Sequence, residues 1–304
     1  MLLKDRVAVI TGGGSGIGKS IALLAAEQGA EVVVNDFGTL TASGVGSSNS
    51  ASDSVVREIR AKGGAAVASY DSVTTMDGAK NIVDKAISNF GRLDILVTCA
   101  GIMRPKWIYN MTEEDWDSVV DVHLKGHFTC TRYACAVMKE QKYGRIIHVS
   151  SEAGLGSPCV SNYGAAKEGI VGFTRCVALD MLPYGVTCNA IRPTAGTRMF
   201  SPTDSQKRTE VLTKLGIESL LRDNLMKESL NPLPEQVAPL VIFLSMEQTN
   251  NVTGCEFVVY DGIIQLLAPP RPTHTICKEG SWTVEEIKRL WPVSLGIPAA
   301  QRWK

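Results

Sequence analysis

Along the chain, short runs of consecutive apolar residues alternate with longer segments whose apolar positions recur every three or four residues. Arg6–Ile10, Glu31–Asn35, Ala65–Ser69, Leu93–Thr98, Arg145–Val149, Val186–Ile191 and Glu256–Tyr260 are of the first kind. Runs this short and this apolar predict strands buried on both faces. Gly16–Gln28, Asp53–Lys62, Asp77–Asn89, Thr112–Gln141, Asn162–Met181 and Pro234–Leu244 have helical periodicity. Gly29, Gly91 and Pro183 mark three of their ends, and Thr112-x-x-Asp115 opens another as a capping box. Strand–helix alternation predicts an α/β chain with one doubly wound parallel sheet of about seven strands.

Three stretches break the rhythm. Phe37–Ser52 is rich in Gly, Ser and Thr and reads as a loop. Thr194–Leu230 has mixed helical signals and is expected to cap the strand ends as a substrate lid. After Tyr260 the alternation is complete, yet the chain runs on through Ala268-Pro269-Pro270-Arg271-Pro272 to a short helix opened by Thr283-x-x-Glu286. The organisation expected is a domain over residues 1–262 and a C-terminal extension over 263–304. Val284, Ile287 and Leu290 share one helical face beside Trp291, so this helix is expected to pack on folded protein.

Composition narrows the classes. Apolar residues make up 44% and charged residues 20% of 304, a globular balance. Thirty-one basic residues offset 31 acidic ones, which removes the electrostatic argument for nucleic acid or an anionic membrane as partner. No apolar run approaches the ~18–20 residues of a membrane span. The start leads directly into the first strand, and Gln301–Lys304 is neither a peroxisomal nor an ER-retention address. A cytoplasmic location is therefore expected. The eight cysteines contain no Cys-x-x-Cys pair and form no metal spacing with the four histidines, so reduced thiols and no metal are expected.

Chemistry concentrates at two places. Strand one runs into Gly12-Gly13-Gly14-Ser15-Gly16-Ile17-Gly18, followed by a helix. Glycines let the backbone approach a diphosphate whose charge the helix N-terminus favours. Strand two ends at Asp36, where a carboxylate accepts hydrogen bonds from both ribose hydroxyls and repels a 2′-phosphate. With no basic residue at 14, 15 or 37, this pattern selects NAD over NADP. Asp71 and Ser72, after strand three, are expected at the adenine edge. Tyr163 and Lys167 lie at i and i+4 on one helix face, and Ser150-Ser151 end the preceding strand. A free phenol titrates near 10, and neighbouring positive charge lowers that value into the range of a usable base.

Thr11-Gly12, Gly16-Ile17-Gly18, Ser151, Tyr163 and Lys167 together resemble the short-chain dehydrogenase/reductase superfamily over residues 4–262. The resemblance implies a single Rossmann-type domain, hydride exchange with a carbinol carbon, and Tyr163 as acid/base. It implies that Ser151 orients the substrate oxygen and that Lys167 holds the nicotinamide ribose. It further implies that Ala100 and Gly101 turn beside the cofactor, that Pro193 borders it, and that Thr197 bonds the carboxamide. Two departures stand out. Thr98-Cys99 replaces the bracing asparagines before Ala100-Gly101. His123 replaces the asparagine that anchors a relay water; it either holds that water or is a satisfied core residue. The gap from serine to Tyr163 is one residue short, so counting back from Tyr163 points to Ser150, and counting from the strand end points to Ser151, the preferred assignment.

A narrower resemblance rests on Val33–Gly38, the Gly44-Val45-Gly46-Ser47 insertion, His123, Lys142–Ile147 and Cys188–Met199. It is to the (3R)-hydroxyacyl-CoA dehydrogenase domain of the multifunctional enzyme type 2 group and its stand-alone bacterial relatives. It implies NAD-dependent oxidation of a 3-hydroxyacyl-CoA by a homodimer or homotetramer, with Arg104, Lys106 and Arg198 as candidate contacts to CoA phosphates. A dehydrogenase for a free cyclic, terpenoid or steroid alcohol shares every catalytic residue, and a silent NAD-binding subunit is the rival of another class.

Overall fold

A computed structural model of the chain describes residues 1–39, 43–44, 48–196, 213 and 232–296. Seven parallel strands carry the apolar runs: β1 (Val7–Thr11), β2 (Glu31–Asn35), β3 (Ala66–Ser69), β4 (Ile95–Thr98), β5 (Gly144–Val149), β6 (Val186–Pro193) and β7 (Glu256–Tyr260). The helices are α1 (Gly16–Glu27), α2 (Ser50–Ala61), α3 (Met76–Phe90), α4 (Glu113–Val120), α5 (Gly126–Gln141), α6 (Ser161–Met181), α7 (Ala238–Leu244) and α8 (Val284–Leu290). Every residue of β1 and β5 is buried, because helices cover both faces. Ala8, Ile10, Val32 and Val34 join the layer formed with α1, α2 and α7, while Val7, Val9, Val33 and Leu96 join that of α3, α5 and α6. The fold is thus the Rossmann-type α/β sheet expected.

The sheet has eight strands, in the order β3-β2-β1-β4-β5-β6-β7-β8, rather than about seven. The additional β8 (Ile263–Leu266) pairs antiparallel with β7 through Tyr260↔Ile263 and Phe257↔Leu266. Asp261 and Gly262, at φ 39° and 77°, form the two-residue turn between them. Asp-Gly between two apolar runs is a strong hairpin signal, here set at the edge of an otherwise parallel sheet. This strand begins where the sequence places the start of the extension.

One long helix was expected over Thr112–Gln141. The Thr112–Asp115 capping box does open it, but a π-helical turn at Asp121–Lys125 divides α4 from α5. A π turn admits one extra residue without changing the hydrophobic spacing enough to be noticed. It carries His123, which is buried.

Among the described residues, those up to 196 with 232–267 form one compact unit, and 268–296 belong to a second. In the second, the Thr283–Glu286 capping box starts α8 as expected, and Lys278 pairs with Glu286 at 2.7 Å. Most of the stretch expected as a lid, including Thr197, Arg198 and Met199, lies outside the described residues. Among the described residues, no helix is long and apolar enough to cross a membrane, and no group of side chains could hold a metal ion.

Candidate active site

The strand order reverses between β1 and β4, and the carboxyl ends of these strands open a crevice, the usual ligand site of such sheets. A cavity of about 270 Å³ occupies it. Gly12, Ser15, Gly16, Ile17, Gly18, Asp36, Asp71, Ser72, Ala100, Gly101, His123, Ser151, Tyr163, Lys167 and Pro193 all line it. Gly14 does not. It serves instead as a donor, its N–H reaching Asp36 Oδ2 at 3.0 Å.

The glycine turn is close-packed against itself. A Cβ on Gly18 would lie 2.1 Å from the Gly12 carbonyl oxygen, and one on Gly12 2.8 Å from the Ala100 backbone. These glycines therefore let α1 begin directly behind the turn, with Ser15 as its N-cap residue. The Ala100–Gly101 turn approaches from β4. Thr11 braces it: its hydroxyl accepts the N–H groups of Cys99 at 3.1 Å and Ala100 at 3.2 Å. Sequence reading missed this role, because a threonine ending a strand carries no distinctive signal.

Asp36 is buried, and its other oxygen accepts the Gly38 N–H at 2.7 Å. Two backbone donors fix the carboxylate at the cavity wall and leave it further acceptor capacity. Asp71 is held by Asn81 at 3.0 Å and Ser69 at 3.2 Å. The close-packed glycine turn, the helix start behind it and the anchored carboxylate fit a nicotinamide dinucleotide: the turn and α1 would take the diphosphate, and Asp36 the adenosine ribose.

At the other end of the cavity, Tyr163 and Lys167 stand one turn apart on α6, both buried. Lys167 Nζ lies 5.5 Å from the Tyr163 ring centroid and donates to the Val149 carbonyl at 2.5 Å. The two serines have different partners. Ser150 Oγ donates to the Lys167 carbonyl at 2.7 Å. Ser151 faces the Tyr163 phenol and acts to lower its pKa. Burial outweighs that effect and pushes Tyr163 up to about 12, with Cys99 acting in the same direction. Burial likewise pushes Lys167 down to about 8. The protein alone therefore holds Tyr163 as a neutral phenol. The activation expected from Lys167 is not seen: only Ser151 acts to lower the phenol's pKa, and burial outweighs it.

His123 Nε2 lies 2.8 Å from the Ile102 carbonyl, and its Nδ1 has no hydrogen-bond partner among the described residues. Its own carbonyl faces His127 Nδ1 at 2.5 Å. Asn162, also unforeseen, accepts the Tyr163 N–H at 2.8 Å and donates to the carbonyls of Asp115 at 2.8 Å and Arg104 at 3.1 Å. It ties the first turn of α6 to α4. Arg104 and Lys106 already have carboxylate partners, Glu114 at 2.8 Å and Asp115 at 2.7 Å, which satisfies the charges that the sequence offered to CoA phosphates.

A doubly wound sheet with a glycine turn, an anchored carboxylate and a Ser–Tyr–Lys set at its switch point defines an oxidoreductase that uses a nicotinamide cofactor. Residues 6–208 match the short chain dehydrogenase family, and the chain belongs to it. It is 47% identical over 243 residues to the peroxisomal multifunctional enzyme type 2 of Drosophila melanogaster, covering 80% of this chain but 37% of that protein. It is 41% identical over 267 residues to a short-chain type dehydrogenase/reductase of Mycobacterium tuberculosis, covering 88% of this chain and 86% of the relative. A crystal structure of a short chain dehydrogenase from Mycobacterium avium superposes with a TM-score of 0.80 at 37% identity, covering 97% of this chain and 96% of that one.

Proposed function

We propose that this enzyme is an NAD-dependent dehydrogenase that oxidises a 3-hydroxyacyl-CoA to the 3-ketoacyl-CoA. The observation that carries the reading is that Ser151, Tyr163 and Lys167 line the same cavity as the glycine turn and Asp36, with Ser151 acting to lower the Tyr163 pKa. Asp36 supports NAD: its carboxylate is fixed by two N–H donors, and Lys167, at the far end, is the only lysine or arginine among the described residues that line the cavity. A 2′-phosphate beside Asp36 would meet like charge with no cation to offset it.

In the oxidative direction Ser151 orients the substrate hydroxyl, and Tyr163, once it has lost its own proton to become the phenolate, accepts the hydroxyl proton as the carbinol C–H bond breaks. A bound nicotinamide would supply the hydride acceptor and, when oxidised, a positive charge that favours the phenolate. Lys167 adds a second cationic group from one turn away. In the reverse direction the neutral phenol at about 12 is already the proton donor that a ketone oxygen needs. The substrate class rests on the insertion after Asp36 and the Cys188–Met199 run, which resemble acyl-CoA enzymes, and on the identity with the multifunctional enzyme type 2. A cytoplasmic homodimer or homotetramer belongs to the same reading.

The test is NADH and NADPH formation across 3-hydroxyacyl-CoAs, their pantetheine-truncated analogues and free secondary alcohols, with Tyr163→Phe as control. The CoA thioester is expected to give the highest kcat/KM, with NAD, because binding energy from the nucleotide end can be used at the reacting carbon. Equal kcat/KM for full and truncated substrates, or turnover of free cyclic alcohols alone, would move the assignment to the rival dehydrogenase.

A further inference from the structure

Arg192, on β6, has a side chain 1% exposed, and all three of its nitrogens are engaged. Nε pairs with Glu256 at the start of β7. Nη2 pairs with Glu168 on α6 at 2.6 Å. Nη1 donates to the carbonyl of Ser151 at 2.5 Å. Arg175, also on α6, reaches the second oxygen of Glu256 at 3.1 Å. Two arginines and two glutamates therefore close a balanced network under the site. A guanidinium taken out of water is tolerable only with partners of this quality.

The network joins two pieces of chain whose separation matters. Ser151 lies just beyond β5 and caps a short helical turn, Glu152–Leu155, where its Oγ accepts the Ala153 N–H at 3.2 Å. Tyr163 and Lys167 belong to α6, and Glu168 follows Lys167 directly. One planar side chain thus holds the Ser151 peptide with one nitrogen and the Tyr163 helix with another. We infer that Arg192 is a positioning residue for the reaction: it clamps the Ser151 loop to α6 and so sets where the serine hydroxyl meets the Tyr163 phenol. The inference rests on the reading of Ser151 and Tyr163 as the reacting pair.

Gly154 reports independently on the tightness of this clamp. A Cβ there would lie 2.8 Å from Arg192 Nη1 and 2.7 Å from Glu168 Oε2. A side chain at residue 154 would displace the guanidinium or the Glu168 carboxylate from its present position. Lysine cannot substitute for Arg192, since one ammonium on a flexible stem cannot reach three acceptors in different directions.

The experiment is a double-mutant cycle on the full chain, read as NADH formation from a 3-hydroxyacyl-CoA. Misplacement by about 1 Å can cost on the order of a hundredfold. Arg192→Met is expected to lower kcat by about tenfold or more while KM for NAD stays within about twofold, because the glycine turn is remote. In a Ser151→Ala background the same substitution should cost less than about twofold, since the group it positions is gone. Arg192→Lys should not restore the rate. Thermal unfolding and NAD binding establish that each variant is folded; if Arg192→Met is not, Gly154→Ala enters the same cycle. An unchanged kcat in a folded Arg192 variant, or an equal loss in both backgrounds, overturns the inference alone. Full activity of Ser151→Ala by itself overturns the reading of the site along with it.

Discussion

The imidazole of His123 stands edge-on to the phenol ring of Tyr163, with centroids 5.0 Å apart and planes crossing at 89°. Burial, with Lys167 acting in the same direction, holds the imidazole pKa well below its usual value, so the ring is neutral. The π turn makes this contact by aiming residue 123 at the cavity and at the Ile102 carbonyl. His123→Ala should remove both the ring wall beside Tyr163 and the tie to Ile102. The expected result is a fall in kcat of roughly tenfold with NAD binding retained, measured by steady-state kinetics alongside dinucleotide titration. A kcat unchanged from the parent would make His123 a core residue only.

Tyr163→Phe keeps the ring and its packing but removes the group that moves the proton. Turnover should fall by at least about a thousandfold, while NAD binding persists, because proton transfer and diphosphate binding use different parts of the cavity. Binding monitored by calorimetry and single-turnover hydride transfer separate the two. Near-normal kcat in this variant would end the proposed mechanism.

Asp36→Ala removes the carboxylate that accepts two backbone N–H groups, and with it the charge that opposes a 2′-phosphate. NAD should bind more weakly and the preference over NADP should narrow, read as the ratio of kcat/KM for the two cofactors. Parent enzyme that already prefers NADP would contradict the argument from strand two.

Acid stability follows from three buried histidines. Burial lowers His123 and His127 well below 6.5 and takes His148 down to about 3. Each folded pKa is depressed, so the unfolded chain binds more protons as pH falls below 6.5, and the stability present above that value is lost toward 3. Each histidine contributes a slope of at most about 1.4 kcal/mol per pH unit. Urea unfolding at a series of acidic pH values should show the loss, and His148→Gln should flatten it. Stability independent of pH below 6.5 would mean that these rings titrate freely in the native state.

The dinucleotide half of the site was legible because its chemistry is local. A glycine turn between a strand and a helix and an acid at the next strand end are contiguous in sequence, and parallel pairing of β1 with β2 brings them together. Tyr163 and Lys167 were legible for the same reason, being one helical turn apart. The roles of Thr11, Asn162 and Arg192 were not. Each acts across a long sequence separation, as when Thr11 holds Ala100 and Arg192 holds Ser151.

Apolar periodicity alone determined the layered α/β fold, since helices and strands bury different spacings of the same residue types. It also placed the ligand crevice at the carboxyl ends of the strands. Only the tertiary structure decided that a π turn presents His123 and that Tyr163 is held as a neutral phenol. A pKa depends on how much water a group loses and on which charges face it, and neither is set until the whole chain has packed around it.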